Sequence, residues 1–179
     1  MKSDRRTLYT KKVIKQSFLT LLNDYPLQEL TIKLLCLEAD INRATFYRHY
    51  QDIYDLYEHI RHEVLEEIMA EQISDVTNVA VLDIMQQNHG FFKECFRTNA
   101  FSDEILTSQQ LVLELKALSE QTAYDEHQIR QAFYFFIYGI EGLLREWVNS
   151  GCQQSPTELS AQLKQITQQY VVLTSLVTS

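Results

Sequence analysis

Residues 30–50 read LTIKLLCLEADINRATFYRHY, and the reading of this stretch decides the fold. It divides into two short helices with a tight turn between them. Thr31 can cap the first, whose inward positions Ile32, Leu35, Cys36 and Ala39 recur at helical spacing. Asp40, Ile41 and Asn42 break the run, and Asn42 can cap a second helix over residues 43–49. That second helix is too short and too polar to be a core element. Arg43, Thr45, Tyr47 and His49 are its outward side chains. A short, capped helix with donors on its open face suits the major groove of DNA.

Upstream, residues 7–25 predict a helix with a buried stripe of Val13, Ile14, Ser17, Phe18, Leu21 and Leu22, ended by Pro26. Lys11, Lys12 and Lys15 are placed off that stripe, and residues 1–6 are expected to form a mobile basic arm. Leu27 and Leu30 plug the bottom of the resulting three-helix head. Downstream, Asp52 can cap a long helix running to about residue 75, with Ile53, Leu56, Tyr57, Ile60, Val64 and Ile68 inward. It starts beside the head and ends in the body, which makes it a mechanical link. Two short helices are expected over residues 78–88 and 91–97, and another from a Ser102 cap to about residue 118. Asp125, with Gln128 as its capping-box partner, opens a helix to residue 150 that Gly151 stops. Ser155-Pro156-Thr157-Glu158 opens the last one, which runs to about residue 177. The expected class is all-α, with about nine helices: a helix-turn-helix head over residues 1–51 and a helical body over residues 52–179.

The last two helices share a spacing. Ile129, Phe133, Phe136, Ile140, Leu143 and Trp147 recur at 4-3-4-3-4, and Leu159, Leu163, Ile166, Tyr170, Leu173 and Val177 repeat it. Such seams belong to coiled coils and four-helix bundles. A monomer could use one such surface internally, while two of them point to a homodimer in which they pair with their copies in a symmetric four-helix bundle. Gly139 and Gly142 lower helix propensity and make sense where another helix backbone comes close. The aromatics Phe91, Phe92, Phe96 and Phe101 are dense for so short a span. Core filling is their plain reading. The functional reading is an apolar effector pocket whose candidates are Phe92, Phe96, Phe101, Tyr134 and Tyr138.

The chain has 179 residues and a net charge of −8, unevenly spread. Residues 1–62 carry 10 Lys/Arg against 8 Asp/Glu, and residues 63–179 carry 6 against 16. An acidic body with a basic end fits a protein that offers one end to a polyanion. With 4 Gly and 2 Pro, long helices with short joints are favoured. Three well-separated cysteines (Cys36, Cys95, Cys152) read as free thiols of a reducing cytoplasm. No apolar run reaches the roughly 20 residues of a membrane span, and the charged start does not read as a signal peptide. A cytoplasmic protein with no membrane partner is expected.

No catalytic constellation is found. The glycines at 90, 139, 142 and 151 form no phosphate loop or dinucleotide fingerprint. His62-Glu63-Val64-Leu65-Glu66 resembles a zinc-protease helix but ends in Glu where the second His must stand. His59, His62, Glu63 and Glu66 read as solvent-facing residues of an amphipathic helix. No metal, cofactor or enzymatic activity is expected.

The head resembles the DNA-binding helix-turn-helix of the TetR family of bacterial one-component regulators. The residues that carry the likeness are Thr31, Ala39, Asp40, Ile41, Asn42, Thr45, Phe46, Tyr47, His49 and Tyr50. Asp40 departs from the usual Gly, at a turn that needs a left-handed backbone. Ile53 stands where the family often has a phosphate-contacting Lys. The series Gly139, Gly142, Trp147 and Gly151 also resembles the subgroup related to dihydroxyacetone-kinase operon activators. By contact type, and with support from the resemblance, Arg43 and Thr45 reach base edges and Ala44 touches a thymine methyl. Lys33 reaches a base or a phosphate. Thr31, Tyr47 and His49 hold phosphates, with packing inside the head the plainer alternative for Tyr47 and His49. The implied protein is a dimeric regulator on a palindromic double-stranded operator, with repression as the family's common outcome. An unidentified small-molecule effector would shift the fourth helix. An adaptor of the same fold, acting through protein or ligand contacts with little operator binding, is the alternative that Asp40 and Ile53 allow.

Overall fold

The computed structural model describes residues 2–70, 77–107 and 124–177, together with 113, 116, 117, 120 and 121. Side chains in the last helix are described as far as Gln168. Every regular element among the described residues is helical. The order is α1 (Lys2–Asp24), a 3₁₀ turn (Leu27–Glu29), α2 (Ile32–Glu38), α3 (Arg43–Tyr47), α4 (Ile53–Ala70), α5 (Val79–Gln87), α6 (His89–Arg97), α7 (Ala100–Thr107), α8 (Glu126–Asn149) and α9 (Pro156–Val177).

α1 starts at Lys2, so the expected arm is the first turn of a helix. Residues 2–6 contain neither Gly nor Pro, and nothing in them stops a helix from extending back. Ile14, Phe18, Leu21 and Leu22 are buried, as the stripe requires. Pro26 closes the helix, and Tyr25 N–H makes its last bond to Leu21 O at 2.9 Å. Thr31 caps α2 by accepting from Leu34 N–H at 3.2 Å. Asp40 then takes φ 50°, the left-handed conformation the turn demands. Ile41 N–H bonds Cys36 O at 3.0 Å and Asp40 N–H bonds Leu37 O at 3.4 Å, the pair that defines a Schellman end. The same motif closes α8: Gly151 has φ 80°, and Cys152 N–H bonds Trp147 O at 2.9 Å. Asp40 thus occupies a position that Gly151 fills at the other end of the molecule.

Asp52 and Asp55 cap the start of α4 reciprocally. Asp55 N–H bonds Asp52 Oδ1 and Gln51 N–H bonds Asp55 Oδ2, both at 2.8 Å. The expected continuation of α4 to residue 75 lies outside the described residues. The capping box of α8 forms as read, with Asp125 N–H to Gln128 Oε1 at 3.0 Å and Gln128 N–H to Asp125 Oδ1 at 2.9 Å. Ser155 and Glu158 do the same for α9.

Three further expectations are refined. α7 begins at Ala100, so Ser102 lies inside the helix and not at its cap. Asn99, at φ 56°, makes the turn that lets α7 follow α6 at once. Phe92, Phe96 and Phe101 fill the core, the plain reading of their density. They are fully buried and packed ring to ring, 6.2 Å between Phe92 and Phe96 and 5.5 Å between Phe96 and Phe101. Tyr134 and Tyr138 stand elsewhere, exposed on α8 with their rings 6.4 Å apart.

The third concerns the seams. Ile140, Trp147, Leu159 and Leu163 are buried inside this one chain. Ile129, Phe133, Phe136 and Leu143 are partly buried against the same core. Ile166 is half-buried, while the side chains of Tyr170, Leu173 and Val177 fall outside the described residues. A heptad spacing says that a face is apolar. It does not say whether the chain itself or a second copy covers it. One continuous hydrophobic cluster runs from Ile14 in α1 to Leu163 in α9, so the head and the body share a core.

Candidate nucleic-acid interface

α3 is the shortest α-helix described, five residues, and it is held by its cap. Asn42 Oδ1 accepts from Thr45 N–H at 2.8 Å and from the Thr45 hydroxyl at 3.0 Å. Phe46 and Tyr50 anchor the helix in the core, their rings 5.9 Å apart. That anchoring turns Arg43, Ala44, Tyr47 and Arg48 outward, all of them exposed. Tyr47 is 57% exposed, a high value for an aromatic, and only the edge of Phe46 supports it at 5.7 Å. Lys33 is exposed on α2, as is Thr31.

The candidates are not equally free. Thr31 spends its hydroxyl oxygen on the α2 cap. Thr45 is half-buried and its hydroxyl proton points at Asn42, which leaves lone pairs for an outside donor. His49 is half-buried, 6.3 Å from the Tyr50 ring. Burial first, then the charges of Lys11 and Arg48, hold its imidazole below the ordinary value near 6.5.

Lys11, exposed on α1, acts on His49 through its charge. Lys11 continues the line of Ile14 and Phe18 at helical spacing, so it lies on the head-facing stripe and not off it. The stripe changes from apolar to basic where the core ends and the end of α3 begins. Arg48, from the α3 terminus, joins the same patch. Neither residue was singled out as a contact from sequence. The i, i+3, i+7 register of 11, 14 and 18 carried the signal for Lys11. Lys15 differs from its neighbours: its ammonium pairs with Glu63 of α4 at 3.1 Å. Ile53 is 6% exposed and closes the bottom of the head, so no phosphate reaches it.

In the body, Glu141 of α8 is 1% exposed. Its Oε2 accepts from Ser102 N–H in the first turn of α7 at 3.1 Å, and its Oε1 from Arg145. Arg145 also reaches Asn99 Oδ1 at 2.6 Å. A carboxylate from one helix thus caps another. An open cleft of about 370 Å³ lies nearby, lined by Tyr57, Glu58, Arg61, Thr98, Asp103 and Thr107. A second, of about 300 Å³, lies beside Leu143, Trp147 and Leu159. None of the five aromatics expected to line a pocket lines either cleft.

Among the described residues no three His, Cys, Asp or Glu side chains gather as a metal site. His59 faces Asp55 at 3.2 Å and His62 faces Glu66 at 3.8 Å, pairs along one helix. The three thiols are buried, with Cys95 pushed up to about 12 by its burial. No helix among the described residues is long and apolar enough to cross a membrane.

Comparison with known proteins agrees with this geometry. A TetR-type family described as "Transcriptional regulator C-terminal region" matches residues 78–169, just over half the chain. Among solved structures the chain is similar to the "Dihydroxyacetone kinase operon activator DhaS", at 17% identity and a TM-score of 0.67, covering 93% of this chain and 98% of that one. It is also similar to the "fatty acid degradation regulator FadR from Bacillus halodurans", at 16% identity and a TM-score of 0.52, covering 87% and 93%. At such identities the likeness is one of fold. No curated protein matches the sequence. The matched region, more than half the chain and carrying the Glu141-capped α7 and the glycine-closed α8, decides the family: the chain belongs to the TetR-type transcriptional regulators.

Proposed function

We propose that this regulator reads a palindromic operator as a homodimer, with residues 1–51 on the DNA and residues 52–179 sensing and dimerising. The observation that carries the reading is the exposed, Asn42-capped α3 with Lys11, Lys33 and Arg48 around it, on a chain whose net charge is −8. Cations gathered at one end of an acidic molecule make sense against phosphates. Arg43 and Thr45 read base edges and Ala44 meets a thymine methyl. Thr31, Lys33, Tyr47 and His49 hold the backbone, and Lys11 and Arg48 join them.

The face through which two copies meet is the one α8 leaves open. Phe135 is 69% exposed, Tyr134 and Tyr138 are exposed, and a Cβ on Gly139 or Gly142 would meet nothing within 4 Å in this chain. Leu143 and Ile166 border that face. A two-fold axis there sets two α3 helices about 34 Å apart or slightly more, one turn of B-DNA. Repression follows when the operator overlaps a promoter. A small-molecule effector releases it by binding one head spacing better than the other. The cleft between α4 and α7 is the place for it, because a ligand there touches the helix that enters the head.

Gel-shift titration with the DNA flanking the protein's own gene tests the reading. Sequence-selective binding at moderate salt is expected, and folded protein that shows none overturns it. Arg43→Ala should cost about 1–3 kcal/mol and relax selectivity at one position of each half-site. Uniform weakening on every sequence assigns Arg43 to a phosphate instead. The buried Ile53 and the Glu63-bound Lys15 favour a second reading, an adaptor of the same fold acting through protein contacts. An affinity for duplex DNA that falls steeply with salt excludes it.

A further inference from the structure

α6 has no cap of its own. Asn88 occupies the N-cap position, but its carboxamide turns back to Ile84 O of α5 at 2.9 Å and makes no bond to the first turn of α6. The missing acceptor comes from the head. Asn23, in the last turn of α1, accepts from Gly90 N–H through Oδ1 at 3.0 Å. Through Nδ2 it donates to Gln87 O, at the end of α5, also at 3.0 Å. One side chain therefore serves both ends of the α5–α6 turn, 64 and 67 residues away.

The same joint is closed sterically. A Cβ on Gly90 would lie 1.8 Å from Leu22 O and 2.7 Å from Asn23 N. The α1 backbone rests directly on α6, and only glycine permits it. α1 packs on α6, and α6 packs on α8, the helix with the open aromatic face. In a dimer paired through that face, the path from the two-fold axis to the head runs α8, α6, α1. Toward its N-terminal end α1 carries Lys11, about 18 Å from Asn23 at 1.5 Å per residue. A tilt of about 6° at the joint moves that end by roughly 2 Å, more than half the rise of one base pair.

We infer that Asn23 is a positioning residue for operator reading. Its two hydrogen bonds fix the angle between head and body and so the separation of the two recognition helices. This rests on the dimeric operator-reading function proposed above. It touches no base or phosphate itself.

The test begins with duplexes selected by the wild-type protein from a random pool. A panel is then made in which the two half-sites are moved one or two base pairs closer or farther apart. The wild type should prefer one spacing sharply. Asn23→Ala, which removes both bonds, should lose about 30-fold of that preference, the ratio two hydrogen bonds of about 1 kcal/mol each set, while its affinity for a duplex with a single half-site stays unchanged. Asn23→Asp keeps an acceptor for Gly90 and loses the donor to Gln87, so it should lie between the two. It also carries the comparison if Asn23→Ala does not fold. A lower melting temperature with an unchanged spacing profile overturns the inference and leaves operator reading intact. A wild-type protein that selects no duplex at all overturns operator reading, and the role of Asn23 with it.

Discussion

Asp40 shows how a local physical demand outlives the residue that usually meets it. The α2–α3 turn needs a left-handed backbone whatever stands there, and Asp40 supplies it at φ 50°. For most L-residues that conformation costs roughly 1–2 kcal/mol. Asp40→Gly should be neutral or stabilising by up to about 1 kcal/mol, and Asp40→Val should cost about 1–2 kcal/mol, read from urea unfolding midpoints. Equal effects of the two would show that the turn does not hold this conformation in solution. At the other end of α3, His49 is set by its neighbours. Its imidazole, half-buried and under the charges of Lys11 and Arg48, should titrate below the ordinary value near 6.5 in an NMR experiment. Lys11→Gln should move the midpoint up. The unfolded chain, free of both cations, takes the proton more readily than the folded one. This contribution to stability is therefore complete above the unfolded value near 6.5 and is lost as pH falls below it. A midpoint indifferent to Lys11 would separate α1 from the end of α3.

At the scale of elements, helix ends were legible in the sequence and helix neighbours were not. Thr31, Asn42, Asp52, Asp125 and Ser155 each bond within three residues, so the signal lies in a few adjacent letters. Asn23 and Glu141 do the same work across 67 and 39 residues, and no local pattern marks them. The Phe cluster was legible as core filling from its density alone, and its rings are buried. The a/d seams were legible as faces but not as covered. Glu141 makes the strongest prediction of this kind. Glu141→Ala leaves the Ser102 amide buried without an acceptor and strips Arg145 of its carboxylate partner, leaving it Asn99. It should cost about 2–4 kcal/mol. Glu141→Gln keeps an acceptor for Ser102 and should cost less. The exposed Glu146→Ala should stay within about 0.5 kcal/mol. Denaturant titration separates the three, and equal losses for Glu141→Ala and Glu146→Ala would show that the α7 cap contributes nothing.

At the scale of the molecule, two kinds of glycine divide the protein between what it encloses and what it leaves open. Gly90 admits no side chain because α1 already lies on it, at 1.8 Å from where a Cβ would sit. Gly139 and Gly142 have open space there, next to Phe135 and Tyr138 on an exposed face. Inside an isolated helix each of these two costs about 1 kcal/mol relative to alanine. A chain that functioned alone would lose nothing by having alanine at both. Gly139→Ala combined with Gly142→Ala should therefore raise the stability of the monomer by up to about 2 kcal/mol while weakening self-association at least tenfold. Sedimentation equilibrium across a range of protein concentrations reads the second effect, and denaturant titration below the dissociation constant reads the first. The signs must oppose. If the double variant is more stable and associates as before, the partner does not approach α8 closely. The two-fold axis, and with it the spacing of the two α3 helices, would then have to be sought on another face.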